Sequence, residues 1–340
     1  MSGASLSADE WSTRLEPQRP PEGLSRLADD PRLGEVVEFW NGAPDAVQRG
    51  RAVLVGFPQN EGVRRNGGRV GAAEAPDAIR HWLYRLTPSD HSAGIDLSEH
   101  RPLDLGNVRV TADLEKSQQD LGLVIAVLLN AGAVPVVLGG GHETAYGHFL
   151  GYVAARRTVG IINVDAHLDV RPCLDAGGHS GSAFRQALEH PTHALSHYVC
   201  LGAQPHAVSR EHAGYVHERG GCIRWCAEVE NGLAGHFDEA CRRLANNGCQ
   251  VYVTLDADAV CAAEVPGVSA PNPAGLRGLE VIACARRAGA STNVSSLDLV
   301  EINTRFDRDG QSARWAALVI WHFLVGHAGR GPSAAHPSQS

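Results

Sequence analysis

The chain has 340 residues, 43% of them hydrophobic and 20% charged, and a formal net charge of −8. That apolar content supports a large core, as one big α/β domain or two smaller ones. The acidic balance, with no dense Lys/Arg cluster to offset it, argues against nucleic acid or an anionic membrane as partner.

Residues 1–35 are rich in Pro, Ser and charge and read as a flexible N-terminal arm with one short helix. The arm lacks the basic-then-apolar order of a secretory leader, and no apolar run is long enough to span a bilayer. Apolar, β-branched runs then predict strands at 52–56, 134–138, 159–164, 198–202, 223–225, 251–255 and 294–300. Helices are expected between them, at 75–86, 112–131, 143–156, 183–188, 237–246, 276–288 and 313–325. No long linker interrupts the alternation. It predicts a single domain over 36–327, a three-layer αβα sandwich with a doubly wound, mainly parallel sheet and its site at the carboxyl ends of the strands. The tail 328–340 reads as disordered. Eight cysteines are scattered without a CxxC pair, which points to a reducing, cytoplasmic setting.

Three of the strand-like runs end in potential metal ligands: His142 in AVPVVLGGGHE, Asp165, His167 and Asp169 in TVGIINVDAHLD, and Asp256 and Asp258 in CQVYVTLDADAV. Residues two apart on an extended backbone face the same way, so each set can point at one centre. Four carboxylates and two imidazoles are too many for one zinc ion and suit two hard or borderline divalent cations. Any one of these patterns alone is weak; a lone strand-end Asp is usually a turn former or cap. The glycines at 139–141 are followed by no Lys-Ser/Thr, so they read as close-approach positions rather than a nucleotide loop.

GGGHE, DAHLD and LDADAV, in this order, resemble the metal-binding signatures of the ureohydrolase (arginase–agmatinase) family, and SLDLVEIN and APNPAGL extend the likeness. Within that family, segments 56–80, 169–186 and 300–310 are most similar to the formimidoylglutamase branch. Thr254 and Thr304 stand where that pattern commonly has Ser and Pro. The resemblance implies an arginase-like fold and two Mn(2+) ions per subunit. His142, Asp165, Asp169 and Asp256 would hold one ion; Asp165, His167, Asp256 and Asp258 would hold the other.

The expected function is hydrolysis of N-formimino-L-glutamate to L-glutamate and formamide, a step of histidine degradation, by attack of a metal-bridging hydroxide. The alternative is a guanidino-compound amidinohydrolase releasing urea. Asp169 is expected to orient the nucleophile, and Glu301 to hold the cationic amidinium end of the substrate. His179, in a Gly-rich, mobile-looking loop, is the expected proton shuttle. Arg171 and Arg185 flank that loop and are expected to bind the substrate's carboxylates, which would also repel a cationic amine substrate. The expected partner is a small-molecule substrate, with no nucleic acid and no membrane, and by analogy a homo-oligomer.

Overall fold

Strands apolar on both faces need cover on both sides, and the computed structural model provides it. It describes residues 6–330 other than 21, 23, 25–28 and 44–45. The strands are β1 (Leu15–Glu16), β2 (Glu38–Phe39), β3 (Ala52–Phe57), β4 (Ser89–Asp90), β5 (Ile95–Asp96), β6 (Leu103–Val108), β7 (Val134–Gly139), β8 (Val159–Val164), β9 (Leu195–Ala203), β10 (Cys222–Trp225), β11 (Gln250–Asp256) and β12 (Val294–Val300). The helices are α1 (Ala8–Arg14), α2 (Leu33–Val36), α3 (Glu61–Arg65), α4 (Ala75–Leu83), α5 (Leu114–Ala131), α6 (Thr144–Ala154), α7 (Ala183–Leu188), α8 (Arg210–Glu218), α9 (Cys226–Val229), α10 (Leu233–Asn246), α11 (Gly278–Ala290) and α12 (Gln311–Ala328).

The main sheet runs β1-β6-β3-β7-β12-β11-β8-β9-β10, with β2 also on β6. Every pairing in it is parallel except β1 on β6; β4 and β5 form a separate antiparallel pair. Along β3, Ala52 and Leu54 join one core while Val53, Val55 and Phe57 join the other. Along β8, Ile162 and Val164 take the first side and Val159 and Ile161 the second. This period-2 division into two apolar layers is the αβα sandwich. The helix ends follow local chemistry: Asp113 caps α5 by accepting from the N–H of Lys116, and Gly132, at φ 74°, closes it in the left-handed region.

α8 was not expected from the sequence, and two further departures, β6 and the N-terminal arm, bear on the core. β6 (LDLGNV) was not apparent as a strand because Asp104, Gly106 and Asn107 interrupt its apolar pattern. They are tolerated there because Arg80 and Tyr84 of α4 and its C-terminal end bond to Asp104, and Arg80 also bonds to Asn107. The arm expected to be flexible over 1–35 is partly docked. Ser7 caps α1, Leu15 pairs with Val108, and Trp11 on α1 and Leu15 on β1 are buried in the core. Of the tail expected from 328, only residues to 330 fall among those described.

Register places the site. Leu255 on β11 lies opposite Val164 on β8, and Asp256 opposite Val300 on β12. Asp165, Asp256 and Glu301 therefore emerge side by side at the carboxyl edge. Next to them, Leu138 of β7 aligns with Leu299 and leads into the glycine loop that carries His142. That loop lies flat on its neighbour: a Cβ at Gly140 would meet the Gln59 carbonyl oxygen at 1.8 Å.

Candidate metal centre

The three sequence-distant ligand sets converge. His142 Nδ1 lies 2.9 Å from Asp256 Oδ2, 3.0 Å from Asp169 Oδ2 and 3.4 Å from Asp165 Oδ2. His167 Nδ1 lies 3.4 Å from Asp258 Oδ1 and 3.5 Å from Asp165 Oδ1. Ligand atoms of His142, Asp165, Asp169 and Asp256 all lie within 4.8 Å of one another, as do those of Asp165, His167 and Asp258. Asp165 belongs to both groups. Asp256 joins only the first, with its Oδ1 turned to accept from the Asp258 N–H at 2.8 Å.

The electrostatics are those of a site short of positive charge. Burial, with Asp258 and Asp165 beside it, pushes the Asp256 carboxyl well above its ordinary range. Burial also raises Asp258, to about 6, despite the opposing pull of His167. Asp165 moves down, because contacts with His167 and His142 outweigh its burial. Both histidines are driven up: His167 chiefly by Asp258, and His142 because Asp169 and Asp256 overcome the effect of burial. His142 Nδ1, Asp258 Oδ1 and Glu301 Oε2 are buried without a hydrogen-bond partner. So many carboxylates cannot all ionise in a dry site unless cations join them, and unpartnered ligand atoms of this kind fit a pair of divalent ions.

Surrounding groups aim the ligands. His142 Nε2 lies 3.1 Å from Thr254 Oγ1, which leaves Nδ1 for the cluster. Asn163 Nδ2 donates to Asp165 Oδ2 at 2.9 Å. Sequence reading assigned neither residue a role, although each lies two positions before an acidic ligand on the same strand face (Thr254 before Asp256, Asn163 before Asp165); that spacing was the available signal. Asp169 and Glu301 both adopt left-handed backbone, at φ 46° and 67°, a strained state that concentrates at functional sites. Glu301 Oε1 accepts from the His142 N–H at 2.7 Å, so the glutamate is fixed against the metal-ligand loop.

The residues expected around the substrate separate. His179 is buried, and its loop is not loose: Arg65 donates to Gly178 O at 3.0 Å and Asn66 to Ser180 Oγ at 3.1 Å. His179 Nε2 lies 3.0 Å from Pro172 O. A carbonyl only accepts, so Nε2 carries the proton and the unpartnered Nδ1 holds the lone pair. Burial lowers the pKa of this imidazole, so the neutral form prevails at pH 7. Arg171 is exposed and donates to Asn66 Oδ1 at 2.9 Å. Arg185 departs from expectation. Its Nε donates to Val170 O at 2.8 Å and its guanidinium stacks on Tyr215, 4.0 Å from the ring centre, so its cation is committed to the protein.

These features fit a metal-dependent hydrolase built on an α/β sheet, and the comparisons give its family. The Arginase family model matches residues 50–326. Formimidoylglutamase of Geobacillus thermodenitrificans is 42% identical over 283 residues, 81% of this chain and 84% of the relative. That of Geobacillus kaustophilus is 39% identical over 325 residues, 94% and 95% of the two chains. The solved structure of Trypanosoma cruzi formiminoglutamase with Mn2+ superposes with a TM-score of 0.81 at 32% identity, covering 89% of this chain and all of that one. The chain belongs to the arginase family. No helix among the described residues is long and apolar enough to cross a membrane.

Proposed function

We propose that the protein hydrolyses N-formimino-L-glutamate to L-glutamate and formamide, using two manganese ions. His142, Asp165, Asp169 and Asp256 would hold one ion, and Asp165, His167, Asp256 and Asp258 the other. It is a hydrolase of amidine C–N bonds acting on a small-molecule substrate. The observation that carries the proposal is the pair of ligand groups sharing Asp165 at the carboxyl edge of the sheet. When bound, the metal pair supplies an acidified water near neutral pH and stabilises negative charge developing at the reacting carbon.

The protein's own side chains do the rest. Asp169 accepts a hydrogen bond from the attacking water and orients it. Glu301, with Oε1 fixed by the His142 N–H and Oε2 free, holds the amidinium by charge-assisted hydrogen bonds. As the water oxygen bonds to the formimino carbon, the bond from that carbon to the glutamate nitrogen breaks. The proton released by the water passes to Nδ1 of the neutral His179 and from there to the departing nitrogen. Arg171 faces the substrate's negative end.

The test is product identity from purified, manganese-loaded protein given N-formimino-L-glutamate and a panel of guanidino acids and amines. Formamide with stoichiometric glutamate is expected. Urea from a guanidino compound, with no formamide, would move the substrate class while leaving the ligand assignment intact.

A further inference from the structure

α3 has five residues, too few to hold itself in place, so it stands where its ends are held. The first N–H groups of a helix need acceptors from outside it. Gln59 Oε1 takes the Glu61 N–H at 2.9 Å, and Glu143 Oε1 takes the Gly62 N–H at 2.8 Å. Glu143 follows the ligand His142 in the chain and is buried. Its side chain fills a slot that two glycines leave open. A Cβ at Gly62 would meet its Cδ at 2.6 Å, and one at Gly141 would meet its Oε2 at 2.1 Å. Gln118 Nε2 of α5 donates to its carbonyl at 2.8 Å, which fixes the glutamate from a third side.

The other end of α3 grips a different loop. Arg65 Nη1 donates to Gly178 O at 3.0 Å and pairs with Glu115 at 2.6 Å. Asn66, which follows the helix, donates through Nδ2 to Ser180 Oγ at 3.1 Å. Gly178 and Ser180 are the two chain neighbours of His179. Downstream, the same loop is tied to the ligand segment by the Arg171 N–H, which reaches Gly181 O at 2.8 Å. One short helix thus joins the loop that carries His142 to the loop that carries His179.

We propose that Glu143 is a positioning residue: by holding Gly62 it fixes α3, and α3 holds His179 at its place beside the metal ligands. The proposal rests on the reading of His179 as the proton shuttle. A shuttle has to meet both the water and the departing nitrogen, and a displacement of about 1 Å can cost roughly 100-fold in rate. What Glu143 supplies to Gly62 is an oxygen acceptor, which a glutamine also has.

The experiment compares full-length, manganese-loaded wild type, Glu143→Ala and Glu143→Gln in two ways. The first is hydrogen exchange of the backbone, which needs no substrate. In Glu143→Ala, exchange over residues 61–66 and 177–180 should be at least about tenfold faster than in wild type, with the central strands unchanged. The second is steady-state kinetics with N-formimino-L-glutamate. Glu143→Ala should lower kcat by about 10- to 100-fold and change KM by less than about threefold, while two equivalents of manganese remain bound. Glu143→Gln should stay close to wild type in both measurements. In a His179→Ala background, Glu143→Ala should lower kcat by less than about twofold further, because the group it positions is already gone. Glu143→Asp, one methylene shorter and withdrawn from Gly62, carries the test if Glu143→Ala fails to fold. Unchanged exchange at 177–180, loss of manganese, or a full loss of kcat on top of His179→Ala would overturn the positioning role. A wild-type enzyme without turnover of N-formimino-L-glutamate would overturn the substrate reading instead, and the exchange comparison would then decide whether Glu143 holds the His179 loop.

Discussion

Two of the buried charged constellations among the described residues differ in a way that separates architecture from chemistry. At β6, Arg80 is almost completely buried, yet it is well supplied with acceptors. Its Nε and Nη2 bond to Asp104 at 2.8 and 3.0 Å, Nη2 also reaches Gly106 O at 2.9 Å, and Nη1 reaches Asn107. Tyr84 donates to the same carboxylate, and the Gly106 N–H donates to it at 2.8 Å. One cation meets one buried carboxylate, with the exposed Asp77 lying 3.5 Å from its Nη1, and the remaining bonds are neutral. At the carboxyl edge, by contrast, four aspartates and Glu301 crowd two histidines, and His142, Asp258 and Glu301 each leave a buried atom unpartnered. A satisfied buried pair holds the fold together, whereas an unsatisfied one requires something to complete it.

Mutation should split the two regions along that line. Asp256→Ala removes a ligand common to both proposed ions, and manganese-dependent turnover should fall by roughly 10³-fold or more. Steady-state assay with metal analysis checks this; near-normal activity would break the comparison at its functional end. Arg80→Ala should act on the fold, leaving Asp104 buried and uncompensated at a cost of about 3–5 kcal/mol in urea unfolding. Replacing both partners with apolar residues of similar volume should cost much less. Thr254→Val should weaken manganese binding by about 10- to 100-fold through the lost contact to His142 while leaving the unfolding midpoint nearly unchanged.

The smallest effect belongs to a third kind of site. Asp90 is held by Ser92 and by Arg286 at 2.7 Å, and these bonds lower its pKa to about 2 from an ordinary 3.8. A carboxylate with a depressed folded-state pKa stabilises the protein above pH 3.8, and that contribution is lost as pH falls through about 2. Asp90→Asn should therefore be less stable than wild type at pH 7, with the gap closing toward pH 2 in thermal unfolding scans at graded pH. A gap that persists at pH 2 would show that ionisation of Asp90 is not its source.

What the sequence revealed follows from the same physics. Buried parallel strands announce themselves through unbroken apolar runs, so the central sheet and its polar strand ends at His142, Asp165 and Asp256 were legible. β6 was hidden because its polar residues are matched by Arg80 and Tyr84, partners twenty or more positions from Asp104 in the chain. Arg185 and Arg171 looked equivalent as loop cations, and only packing against Tyr215 and Asn66 distinguishes them. Trp11 lies on α1 and Leu15 on the two-residue β1, so no single apolar period marks them, and Pro- and Ser-rich surroundings obscured them further. The His179 loop read as mobile from its glycines, while Arg65 and Asn66, over a hundred residues earlier, pin it.

The most direct test of the central claim, that the unsatisfied cluster is a two-metal site, is calorimetric titration of metal-free protein with manganese. Two equivalents bound per chain, with both sites lost or severely weakened in Asp165→Ala, is the predicted result. Binding of one equivalent or none, or two-site binding unchanged by Asp165→Ala, would contradict it.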